Sequence, residues 1–279
     1  MALNPDAVGR RIGPFTLAYS RKDVVLYALG VGAGFSELEY CYEKRLKVLP
    51  TFAVAAVFDL FFHVARAARA NLAGVLHGEQ ELWIHHPIPV SGTLTTEGRI
   101  IGFFDKGASK GAVVAAESQT HGAGGEKLFT SRITLFSRLD GGFGGDDAPK
   151  QSFAFPDRVP EAAVEDLPDP DQPLIYRLSG DLFELHVDPE FARIAGFERP
   201  IMHGLCTLGF ACRALIRELA SGSPEKVRRI ACRFSRPLYP GVPIRTLIWK
   251  AGPGSALWKT LRADTGEEII THGRFEYDT

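Results

Sequence analysis

LPTFAVAAVFDLFFHVA at residues 49–65 and RPIMHGLCTLGFACRAL at residues 199–215 decide how this chain is read. Each is an apolar run introduced by a proline, and Pro50 and Pro200 stand 150 positions apart. Proline suits the first turn of a helix, where a backbone N–H would have no partner anyway. Both runs are hydrophobic on nearly every side, so each predicts a helix buried on more than one face. Asp59 and His63 interrupt the first, His203 and Arg213 the second, and both are shorter than a bilayer requires.

Outward from the helices the same offset recurs. IHHPIPVSG (84–92) and FSRPLYPG (234–241) each end a strand in a proline-glycine corner, and Pro87 and Pro237 again differ by 150. TLTTEGRIIGFF, GAVVAAESQTHG and KLFTSRITLFSR then correspond to PIRTLIWKAG, ALWKTLRADTG and EEIITHGRFEY. A glycine-containing turn, GAGGEK or DTGEE, joins the last two strands of each set as a hairpin. The class is α+β, with one long apolar helix on an antiparallel sheet in each half. A sheet curled around its central helix buries that helix all round, which is the hot-dog arrangement; two in tandem make a double hot dog. Patterning leaves open whether the halves form one unit or two. Between them the chain turns rich in Gly, Pro and acidic residues, so the expected division is 1–138, a linker at 139–173, and 174–279.

Composition narrows the functional classes. The 279 residues carry 32 Lys and Arg against 33 Asp and Glu, a net charge of -1, which gives no bulk attraction to nucleic acid or an anionic membrane. Cys41, Cys206, Cys212 and Cys232 are too few and too irregular for a disulfide framework or a zinc ribbon, and read as reduced core thiols. The first residues lack the apolar stretch of a signal peptide and the last match no common peroxisomal address, so the expected compartment is the cytoplasm.

Candidate chemistry gathers just before the second helix. Asp181 and His186 stand five positions apart, roughly 140° around a regular helix, so they converge only in an irregular segment. Gly180 before them and Asp188-Pro189 after them supply one, with Asp188 as N-cap and Pro189 in the first turn of a short helix. LFELHV is therefore placed in a loop between a strand, LIYRLS, and that helix. The alternative is an exposed Asp and a His that merely satisfies a carbonyl. His203-Gly204 falls in the expected first turn after Pro200, where free N–H groups and the helix dipole suit a developing oxyanion. The first half has Ala53-Val54 at the equivalent place, so polar chemistry is confined to one repeat.

The stretch YRLSGDLFELHVDPEFARIAGFERPIMHGLCTLG resembles the hydratase motif of the MaoC-like family of enoyl-CoA hydratases and dehydratases, particularly the (R)-specific type-two enoyl-CoA hydratases with two hot dogs. It matches at Tyr176, Arg177, Ser179, Gly180, Asp181, His186, Asp188, Pro189, Ala192, Gly196, Phe197, Pro200, Ile201, His203, Gly204 and Leu205. The resemblance implies that Asp181 and His186 activate one water for addition to a trans-2-enoyl thioester, with the Gly204 N–H on the thioester oxygen. It implies a degenerate first repeat that accommodates a bulky acyl chain, a homodimer, no metal, and no cofactor beyond the coenzyme A of the substrate.

One departure stands out: Phe183 and Glu184 occupy the positions where the family has Asn and Pro. Phe183 removes an amide and adds bulk beside the water, which predicts altered hydration or a reshaped pocket. Phe183 and His203 are expected to touch substrate. Lys106, Lys110, Arg228, Arg229 and Arg233 are candidates for coenzyme A phosphates, with Arg228 and Arg229 favoured; ordinary surface charge is the alternative. Two other readings remain: a hot-dog thioesterase, against which Glu218 sits too near its helix's end, and a non-catalytic acyl-CoA-binding subunit, for which Phe183 argues.

Overall fold

A computed structural model describes residues 3–149 and 152–279. Its strands are β1 (Arg11–Tyr19), β2 (Val75–Ile84), β3 (Gly92–Asp105), β4 (Ala112–His121), β5 (Lys127–Ser137), β6 (Ala162–Asp166), β7 (Val227–Phe234), β8 (Ile244–Gly252), β9 (Ser255–Arg262) and β10 (Glu268–Tyr277). Side chains alternate along them as two-faced strands require: Ala112, Val114, Ala116 and Ser118 of β4 are buried, their neighbours less so. The helices are α1 (Arg21–Gly30), α2 (Phe52–Ala56), α3 (Asp59–Ala67), α4 (Gln172–Tyr176), α5 (Pro189–Ile194) and α6 (Gly204–Leu219). No described helix is long and apolar enough to cross a membrane.

All ten strands form one sheet, ordered β1-β3-β4-β5-β2-β7-β10-β9-β8-β6. From the centre outward, the two halves repeat one order, and the seam is the antiparallel pair β2 and β7, with Leu82 opposite Ile230. The architecture is the expected double hot dog, and the sheet runs unbroken across both repeats. The segment 139–173, expected as a linker, holds β6 and the start of α4; β6 pairs with β8 as β1 pairs with β3. Proline and acidic residues hid a five-residue edge strand there, where a missing N–H costs little. LIYRLS, expected as a strand, is instead helical: α4 followed by a 3₁₀ turn at Arg177–Ser179.

The two central helices differ. In α6, Leu205 through Ile216 are all buried, which is the all-round burial the sequence implied. It begins at Gly204 rather than beside Pro200, because residues 198–203 are not helical and His203, itself extended, becomes its N-cap. The first-repeat run, expected as one helix from Pro50, is two: α2 ends at Ala56 and α3 starts at Asp59. Asp59 is exposed and opens α3, where a carboxylate favours the N-terminal dipole. The equivalent position in α6 is Gly209, packed so tightly that a Cβ would lie 2.3 Å from Val31. A charged residue tolerates no such burial, so the first helix turns to hydrate it.

The offset also relates loops. Gly30 ends α1 and its backbone meets α4 and α6; Gly180 ends the 3₁₀ turn and faces the Ala55 carbonyl. Beyond Gly30 the loop runs into α6, where the Arg213 guanidinium donates to Glu37 from Nε at 2.9 Å and to the Val31 carbonyl at 3.0 Å. Arg213 is only 6% and Glu37 only 9% exposed, so the Glu37 carboxylate depends on Arg213, which also lies 3.8 Å from Asp166. Arg213→Leu leaves the Glu37 carboxylate buried alone and is expected to cost about 3 to 5 kcal/mol in urea unfolding. A loss below about 1 kcal/mol would show that Glu37 finds other partners.

Candidate active site

The site grows from the chain reversal at Gly180. Its φ is +138°, in the region that disfavours side chains, and a Cβ there would stand 2.7 Å from the Ala55 carbonyl. The next residue, Asp181, is carried under α2, and its Oδ1 accepts the Phe183 N–H at 3.2 Å. A 3₁₀ turn at Glu184–His186 then brings His186 back toward Asp181, the irregular path that five-residue spacing demanded. Asp188 caps α5 by accepting from the N–H groups of Glu190 and Phe191, so it is structural.

His186 Nδ1 lies 2.8 Å from the Ile201 carbonyl; since a carbonyl only accepts, Nδ1 carries the proton. Nε2 is therefore a lone pair, and it sits 3.9 Å from Asp181 Oδ2. That gap is too long for a direct bond and suits one water bonded to both groups. His203, expected to touch substrate, instead stands behind: its ring stacks on His186 at 3.7 Å between centroids, and its Nε2–H donates to the Asp181 carbonyl at 3.2 Å. It is 1% exposed and supports the dyad from the protein side.

Burial sets the charge states. It pushes the Asp181 carboxyl up to about 7 and the His186 imidazole down to about 4. His203 is lowered well below its ordinary range by burial and by neighbouring His186. Near neutral pH both imidazoles are uncharged and Asp181 is poised between its two forms, a spread of basicities suited to proton transfer. Asp181, His186 and His203 each offer a ligand atom within 4.8 Å of the others, as a metal site would. The two imidazoles, however, are stacked with planes only 26° apart. Their in-plane lone pairs run side by side rather than converging on one ion, so the arrangement fits a metal poorly.

The dyad opens onto a cavity of about 250 Å³. Phe58, Phe61 and Phe62 line it from the first repeat, Phe183, Leu205 and Phe234 from the second. The break between α2 and α3 places those first-repeat rings there. Phe183 packs edge-on to Phe62 and Phe191, beside the dyad rather than between its members. The Gly204 N–H opens α6 with no acceptor among the described residues, and Phe234 covers the glycine so closely that a Cβ would be 3.0 Å from its ring. A free N–H at the start of a 16-residue helix is placed for a developing anion.

Arg228 and Arg229 are not there. They sit toward the far end of β7, about 16 to 20 Å along the strand from Phe234. Arg228 pairs with Asp278, and Arg229 bridges Glu81 and Glu276. Lys106, Lys110 and Arg233 are also absent from the cavity wall; Arg236, which sequence reasoning passed over, is at it. Only its proximity to the proline-glycine corner at Pro237 could have marked it.

Residues 17–139 match the family model described as the MFE-2 hydratase 2 N-terminal domain, and residues 147–272 the one described as a MaoC-like domain. The 3-hydroxyacyl-thioester dehydratase Y of Mycobacterium tuberculosis is 38% identical over 99% of this chain and 99% of its own. The chain belongs to the MaoC-like dehydratase family. Among other members, the probable enoyl-CoA hydratase 2 of Dictyostelium discoideum is 36% identical, covering 95% of this chain and 93% of its own. The crystal structure of a MaoC-like dehydratase from Phytophthora capsici superposes with a TM-score of 0.89 at 31% identity, covering 99% of this chain and 98% of that one.

The shifted groups fix the pH behaviour of this MaoC-like dehydratase. If Asp181 acts ionised, kcat/KM rises with pH with a midpoint near 7. Stability moves oppositely: Asp181 holds its proton more tightly folded than unfolded, so its contribution is full below about 3.8 and gone above about 7. His186 contributes above about 6.5 and loses that contribution as pH falls toward 4. Asp181→Asn is therefore expected to raise the melting temperature, by more at pH 8 than at pH 5. An equal change at both values would place the Asp181 titration outside this window.

Proposed function

We propose that this protein adds water reversibly to trans-2-enoyl-CoA, giving (R)-3-hydroxyacyl-CoA. The observation that carries the reading is the pair of acceptors, Asp181 Oδ2 and His186 Nε2, 3.9 Å apart at the wall of an apolar cavity and beside the free Gly204 N–H. Names of relatives support it: 3-hydroxyacyl-thioester dehydratase for one, enoyl-CoA hydratase 2 for others. Some of these names also say peroxisomal, so the compartment does not follow from the fold. A homodimer belongs to the proposal, with sedimentation at twice the 30.5 kDa chain as its expected result.

One water gives a hydrogen bond to each acceptor. Its oxygen bonds to Cβ while the double-bond electrons move through Cα to the thioester oxygen, where the Gly204 N–H meets the developing charge. Such a donor contributes about 3 to 4 kcal/mol. The proton that the water releases to the pair returns to Cα on the same face, so no proton is gained or lost overall. Dehydration runs the same steps backward.

The thioesterase reading lacks its carboxylate. Glu218 is exposed in the last turn of α6 and pairs with Arg217, and the α6 residues at the cavity are Gly204, Leu205 and Thr207. The non-catalytic reading rested on Phe183, yet that ring leaves the dyad gap open and its backbone N–H supplies Asp181 with an amide donor.

Followed by loss of the conjugated enoyl-thioester absorbance, Asp181→Asn and His186→Ala are each expected to lower kcat by about 10²- to 10⁴-fold. Turnover that survives both would remove the dyad from the mechanism; binding without turnover in the unaltered protein would favour the binding subunit. Phe183→Asn takes away ring contacts made equally with substrate and transition state, so KM is expected to rise with kcat nearly unchanged. A rise in kcat instead would make Phe183 a brake on hydration.

A further inference from the structure

Among the polar side chains of the cavity wall that the proposed chemistry does not use, His77 is the one imidazole. His77 lies on β2, just past the point where β7 leaves it: Glu79 pairs with Arg233, and Phe234 ends the partner strand. Pairing of β2 with β5 slips between His77 and Glu79, a bulge at Gly78, where a Cβ would stand 2.8 Å from the Thr134 hydroxyl. Bulges re-aim side chains, and this one sets the imidazole between Phe61 and Phe234, at 5.4 and 5.1 Å between ring centroids. Phe234 is also the ring against Gly204, so His77 stands one aromatic ring beyond the proposed thioester position.

Its hydrogen bonding is asymmetric. Nε2 lies 3.2 Å from the Glu79 carbonyl and must carry the proton. Nδ1 is then an acceptor with no hydrogen bond to any described residue. Burial pushes the group down to about 4, so it stays neutral and keeps this arrangement at neutral pH. The equivalent residue in the other repeat is Val227, fully buried and apolar. His77 borders the open space of the cavity, where a ligand that displaces water from Nδ1 without replacing its hydrogen bond loses affinity and one that replaces it does not.

We propose that His77 is a specificity-determining residue that accepts a hydrogen bond from a hydroxyl carried on the acyl group, beyond the reacting carbons. The favoured substrates are hydroxylated enoyl thioesters. A ketone at the same carbon presents a second acceptor to Nδ1 and is disfavoured, and a plain methylene leaves the nitrogen unpaired. The proposal rests on the hydration reading above.

The test compares matched trans-2-enoyl-CoA substrates that differ only at one remote carbon: methylene, hydroxyl or ketone. With the unaltered protein, moving the hydroxyl along the chain is expected to give a maximum in kcat/KM at one position, at least about tenfold above the methylene compound. In His77→Phe that preference, taken as the ratio of kcat/KM on the hydroxyl and methylene compounds, collapses to near unity, and measurable turnover of the plain substrate shows that the variant folds. A flat profile along the chain overturns the proposal whether or not the variant folds. A hydroxyl preference that persists in a His77→Phe protein active on the plain substrate also overturns it. Absence of turnover on every substrate strikes at the hydration reading itself and takes this proposal with it.

Discussion

Pairing of Glu79–Trp83 with Arg229–Arg233 makes the two repeats one sheet, and the site depends on that seam. Joined there, the repeats share a core in which α2 and α6 meet residues of α1 and α4, so the loop following one repeat's short helix lies on the central helix of the other. Ion pairs reinforce the strand pairing: Arg229 to Glu81 and Arg233 to Glu79 both cross it. Arg229, which looked like a phosphate ligand, is spent on this junction, with its guanidinium also over the Trp83 ring.

The symmetry produces two equivalent places for a site, and the central helices decide between them. On one side α6 is unbroken, and Phe210 and Arg213 fill the space under the loop that follows Gly30. On the other the helix breaks before Asp59, and the phenylalanines around the break line a cavity under the loop that follows Gly180. A continuous helix leaves a buried ion pair; an interrupted one leaves room for an acyl chain. The repeat that lost its polar residues at the helix start thus still shapes the site in the other repeat.

Within the site, burial does more than enclose substrate. It raises Asp181 and lowers His186, and it keeps both imidazoles neutral through fixed tautomers, each set by a carbonyl. His203 fits this scheme as a prop. Stacked on His186 and bonded to the Asp181 backbone, it holds the two members at a separation that admits one water.

The sequence by itself determined the two-repeat architecture, because all-round hydrophobicity and proline corners at a fixed offset depend only on local pattern. It also pointed to Asp181, His186 and Gly204, through the confinement of polar residues to one repeat and the resemblance of residues 176–205 to the hydratase motif. Tertiary structure alone decided the single sheet, the strand hidden among the prolines at 162–166, and the break before Asp59, each of which depends on what lies across the fold. It also moved His203 behind the dyad and took Arg228 and Arg229 away from the cavity. Sequence spacing does not say which of two neighbouring histidines faces open space, nor whether an arginine has already found a carboxylate on another strand; both are fixed by contacts between residues far apart in the chain.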